Sequence, residues 1–151
     1  MPRAASGHTR GSRAVELRVP ARVESLAVVR AMTGCLAGYE ELNGDTAGDL
    51  ALAVDEACTV LIGMSSPGAN LVLVEDPGVD VLSVRVSTAC DSVHGEPGSA
   101  GLSGFSRRVL ESLAEQVDTF VDELDSEHAD ELSPVLGISL TVRRDGLSVR
   151  R

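Results

Sequence analysis

Apolar residues recur along this chain with two different periods, and the changes between them divide it into elements. Val15, Leu17 and Val19 alternate with polar neighbours, the period-2 pattern of a half-buried strand, and Pro20 ends it. From Arg22 to about Leu36 the period becomes helical, with Val23, Leu26, Val29, Met32 and Leu36 recurring, and Gly34 and Gly38 weaken its end. A second helix is expected from Asp45, a good N-cap, to Ile62, with Leu50, Val54, Ala57, Cys58 and Leu61 as its apolar stripe. Leu52 and Val60 fall on a different face with Glu56 between them, which predicts a helix apolar on two sides and sandwiched.

Asn70 to Val74 and Val79 to Cys90 then read as two strands joined by the turn Asp76-Pro77-Gly78, where Pro sets φ and Gly permits a positive one. Asp91 to Gly104 has the composition of a long loop, of the kind that often serves as a lid. Val109, Leu110, Leu113 and Val117 give a third helix, while Val117 to Val121 equally fits a short strand. Asp122 to Ser133 reads as an acidic exposed connection, and Ile138, Leu140 and Val142 as a closing strand. Residues 1–13 and 145–151 carry no apolar period and are expected to be tails around one domain, 14–144. This order predicts an α+β two-layer sandwich, a mixed or antiparallel sheet covered on one face by about three helices.

Composition narrows what such a domain can do. The chain has 151 residues, 43% of them apolar, with no Trp, one Tyr and two Phe, so its core must be aliphatic. All 13 basic residues are Arg, which removes Schiff-base chemistry and any P-loop lysine. A net charge of −10 opposes direct nucleic-acid binding. The charge is uneven: Met1 to Arg22 is basic, and Asp118 to Glu131 is an acidic run suited to a basic partner or simply to solvent. No stretch approaches the roughly 18 uninterrupted apolar residues of a membrane span, and no signal-peptide core appears, so the expected location is the cytoplasm without membrane attachment. Cys35, Cys58 and Cys90 are dispersed and read as small buried hydrophobes. His8, His94 and His128 lie in loop-like sequence, and no cluster has metal-ligand spacing.

Glu56 in an apolar stripe, followed by a Gly-rich loop that leads into a helix, suggests a nucleotide pocket with phosphates at a helix N-terminus. The segment LALAVDEACTVLIG, Leu50 to Gly63, resembles the first motif of the GHKL ATPases in their RsbW-like serine-kinase branch of anti-sigma factors, with Glu56, Ala57 and Thr59 matching. VRVSTACDS (Val84 to Ser92) stands where the second motif falls, GFSRRVLESL (Gly104 to Leu113) where the third does, and GISLTVRR closes the domain. The resemblance covers Ala14 to Arg144 and implies an anti-sigma factor that sequesters an alternative sigma factor and yields to an anti-anti-sigma partner. It also implies a homodimer formed through the first helix region and neighbouring sheet, where Arg22, Glu24 and Arg30 are polar positions.

For chemistry the resemblance implies ATP and Mg²⁺, with Glu56 polarising a partner's serine hydroxyl and Thr59, Thr88, Gly104 and Ser106 around the nucleotide. Arg107 and Arg108 would add bidentate pairing to phosphate. The sequence departs from the family at the metal-binding Asn, which is Val60, an aliphatic side chain that cannot ligate a hard cation. Thr88 replaces the adenine-reading Asp, Cys90 the Gly after it, and Ser106 the second Gly of the third motif. Two readings therefore stand beside the binding protein: an active ATP-dependent serine kinase acting on the anti-anti-sigma protein, and a sensor that binds ATP without transferring phosphate.

Overall fold

The computed structural model describes residues 11, 13–90, 102–123 and 134–144. Most of the tails, of the 91–104 loop and of the 122–133 connection, with all three histidines, lie outside these residues, whereas Arg13, expected in the tail, is described. Five strands form one antiparallel sheet: β1 (Val15–Pro20), β2 (Asn70–Pro77), β3 (Val81–Ala89), β4 (Gln116–Glu123) and β5 (Pro134–Arg143), in the order β1-β2-β3-β5-β4. The helices α1 (Leu26–Tyr39), α2 (Gly44–Met64) and α3 (Gly104–Leu113) cover one face, which gives the expected α+β sandwich.

Register fixes which side chains meet the helices. Leu73 lies opposite Leu17 and Val86, Val86 opposite Ile138, and Ile138 opposite Thr119, so a single row crosses all five strands. Leu71, Leu73, Leu82, Val84, Val86, Leu136, Ile138 and Leu140 are buried from this face, and α2 supplies Leu50, Ala53, Val54, Ala57, Cys58 and Leu61 against them. Each such Leu or Val contributes roughly 1.5–3 kcal/mol by leaving water. The opposite face carries Ser83, Arg85, Ser87, Ser139 and Thr141, with the Arg85 guanidinium 4.0 Å above the Phe120 ring. That ring presses on Gly137, where any Cβ would collide with it.

Several expected boundaries move. The first helical segment opens as a 3-10 turn, Val23–Ser25, and runs past Gly34 and Gly38 to Tyr39. It closes in a Schellman arrangement: Glu41 N–H reaches Gly38 O at 3.1 Å and Leu42 N–H reaches Ala37 O at 3.0 Å, with Glu41 at φ 60°. The second helix is capped by Asn43, whose side chain accepts the Thr46 N–H at 2.8 Å, so Asp45 sits inside the first turn, where its charge favours the helix dipole. That helix buries one face only; Leu52 is 60% exposed, which overturns the sandwiched helix expected from the sequence. Pro77 remains paired with Leu82, and the reversal falls over Gly78–Asp80, closed by Gly78 N–H to Val81 O at 2.8 Å. Val117 to Val121 resolves as strand, because pairing along β5 satisfies its backbone and turns Val117, Thr119 and Val121 inward.

One ionic cluster ties the margins together. The Glu40 carboxylate, 3% exposed at the end of α1, receives Arg13 at 2.7 and 3.1 Å and Arg144 at 3.0 Å. Arg144 also donates to Gly78 O at 2.7 Å and to Glu40 O at 2.9 Å. The two guanidinium groups hold the Glu40 carboxyl below its ordinary range, the Arg13 hydrogen bond contributing most and burial opposing it.

Candidate functional site

The contact between α2 and α3 brings together part of the residue set expected from the sequence. Glu56 lies half-buried in the middle of α2, turned toward α3, and accepts the Ser106 hydroxyl at 3.0 Å. Ser106 stands in the first turn of α3, where Ser103 is the N-cap and its Oγ accepts the Ser106 N–H at 3.0 Å. Gly104 and Arg108 are exposed on the same short helix, and Arg107 pairs along it with Glu111 at 3.3 Å. Thr59 is exposed on α2 one turn after Glu56.

Thr88 lies apart from this cluster. It is 2% exposed on the inner face of β3, and its hydroxyl donates to Asn70 O at 2.8 Å, an internal bond that joins β3 to the start of β2. Arg22 and Glu24 are exposed at the entrance to α1 beside Val23 and Val28, which are 67% and 50% exposed. Arg30 is engaged by Asp55 of α2 through bonds of 2.7 and 3.3 Å, so it braces the two helices. Asp55 was not singled out in the sequence, nor was Ser103, although a Ser just before a helical period is a recognisable cap signal.

The chemistry this arrangement offers is that of a carboxylate already engaged by a serine hydroxyl. Burial, then the neighbouring Asp55 carboxylate, pushes the Cys58 thiol up to about 12, which leaves it a neutral packing group. For a magnesium nucleotide the fit is poor. Val60 is a half-buried aliphatic packed against the core, the Thr88 hydroxyl is committed to Asn70, and no group of three or more His, Cys, Asp or Glu among the described residues converges on a metal position.

No family model matches the chain. Two curated relatives do: the anti-sigma-F factors RsbW of Mycobacterium tuberculosis strains CDC 1551 / Oshkosh and ATCC 25618 / H37Rv. Each is 46% identical over 140 residues, spanning 91% of this chain and 78% of the relative. The chain belongs to the RsbW family of anti-sigma factors. The matched stretch of 140 residues takes in most of the chain, well beyond the segment Leu50 to Gly63. Among the described residues of this RsbW-family protein, no helix is long and apolar enough to cross a membrane.

Proposed function

We propose that the protein binds an alternative sigma factor in the cytoplasm, keeps it from core RNA polymerase, and releases it to a competing anti-anti-sigma protein. The observation that carries this reading is the 46% identity to anti-sigma-F factors over 91% of the chain. Its surface is compatible with the role: Arg22, Val23, Glu24 and Val28 form an exposed mixed patch at the start of α1. The same helix, with the adjoining sheet edge, is the region we assign to a homodimer.

A second reading is favoured by one distance. Glu56 already accepts a serine hydroxyl at 3.0 Å, the contact that a base would make with a serine of the anti-anti-sigma protein during ATP-dependent phosphorylation. Val60 weighs against that reading, because charge neutralisation by metal is central to phosphoryl transfer. An ATP sensor without transfer requires the pocket but not the metal, with Arg107 and Arg108 as its phosphate partners.

Affinity capture of the tagged protein from its own cell lysate, with and without Mg·ATP, separates these readings. A sigma factor recovered in both conditions is the expected result. Recovery only with Mg·ATP would favour the kinase or the sensor, and labelled phosphate on the captured antagonist would distinguish the first from the second. A sigma factor missing from both would sink the anti-sigma reading.

A further inference from the structure

Beneath α1, in the middle of an aliphatic face, stands a carboxylic acid. Glu75 follows Leu71 and Leu73 on the inward side of β2, lies opposite Val15 and Val84, and has no exposed surface. One oxygen, Oε2, receives the Thr33 hydroxyl from α1 at 2.7 Å; the other, Oε1, is buried without a partner. Thr33 is itself 1% exposed, so the pair lies sealed between helix and sheet.

The surroundings do not neutralise a charge there. On α2, Cys58 faces Glu75 with a neutral thiol, and Asp55 is paired with Arg30. The cations of this region are engaged elsewhere: Arg30 on Asp55 at the helix surface, Arg13 and Arg144 on Glu40 at the far end of α1. An ionised carboxylate with one hydroxyl bond in such a setting is far costlier than the neutral acid. Burial accordingly pushes the Glu75 carboxyl up, against a smaller opposing effect of Thr33.

We propose that Glu75 and Thr33 form a proton-controlled latch between α1 and the sheet: α1 is seated while the carboxyl is neutral, and loss of its proton loosens the helix. In the seated state Thr33 donates to Oε2 and the proton resides on Oε1. On deprotonation the proton passes to solvent, and the carboxylate regains hydration only if α1 lifts from β2. An apolar residue would continue the inner face of β2, where Leu71, Leu73 and Pro77 are buried, without this liability, so the acid departs from the pattern of that face. The latch stands independently of the sigma-factor reading, since it concerns how α1 is held.

A carboxyl whose folded value is raised stabilises the seated helix fully below the ordinary glutamate range, and that contribution is lost as pH climbs through the raised value. Across that interval the opening constant of α1 should rise up to about tenfold per pH unit and then level off.

Hydrogen exchange of the α1 amides, corrected for intrinsic rate, tests this in the full-length protein from mildly acidic to mildly alkaline pH, compared with Glu75→Gln, a non-titrating mimic of the neutral acid. We expect wild type and variant to coincide at the acidic end and to diverge as pH rises, with the variant flat and with α2 and β3 amides unaffected in both. Glu75→Leu provides a second non-titrating reference should the amide fail to fold. Parallel profiles for wild type and reference would overturn the latch, and so would an equal rise in α1, α2 and β3, which would mark global rather than local opening.

Discussion

Among the described residues, Glu41 has the backbone most at odds with its identity. It ends α1 at φ 60°, a left-handed position that a Cβ disfavours by roughly 1–2 kcal/mol and that glycine adopts freely. Its neighbours hold it there, because Leu42 must turn back to bond Ala37 O and bury against the core. Glu41→Gly is therefore expected to stabilise the protein by roughly 1 kcal/mol, read as a higher urea midpoint with unchanged slope. A lower midpoint would mean that the Glu41 side chain makes a compensating contact. Glu75 poses the opposite problem, an ordinary backbone with an unusual side chain. The sequence reading ended this strand at Val74, so neither the inward place of Glu75 nor its meeting with Thr33, 42 residues earlier, was legible there.

At the scale of elements, α3 is the least anchored part of the helical layer. Only Leu110 of its ten residues is buried, and its first turn is held by the Ser103 cap and the Ser106–Glu56 bond. Ser106→Ala should remove about 1 kcal/mol of local stability and accelerate amide exchange in α3 while leaving α2 unchanged. Equal rates in variant and wild type would show that the bond contributes nothing to helix docking. The same element shows where sequence reading succeeds and where it stops. A 3.6-residue period located all three helices, and the hairpin and closing strand followed from alternation. Two boundaries were set by long-range pairing rather than local signals, Pro77 being kept in the sheet by Leu82 and Val117 pairing with β5, whereas the cap moved from Asp45 to Asn43 through a local bond to Thr46. In the site, Glu56 was recognisable by its place in a motif. Its bond to Ser106 spans 50 residues, and the commitment of Thr88 to a backbone carbonyl depends on the β2–β3 register, which no local pattern encodes.

For the molecule as a whole, the ionic cluster at Glu40 links segments that are 131 positions apart in sequence, Arg13 and Arg144, through the end of α1. Because its carboxyl is held below the ordinary range, its contribution is present above that range, begins to fade as pH falls through ordinary glutamate values, and is gone below the lowered one. Comparing urea midpoints of wild type and Glu40→Gln, the gap should be widest near neutrality and should narrow on acidification. A gap independent of pH would assign the effect to shape rather than charge. Titration of Glu75 acts in the reverse sense, so the two carboxyls at α1 define a stability optimum between them.

The cluster also determines how trimming of the chain would be felt. Arg13 and Arg144 grasp one carboxylate, so the segments that carry them share a single anchor at the end of α1. Cutting away either segment therefore weakens the hold on the other, and damage at one margin of the fold is transmitted to the opposite one.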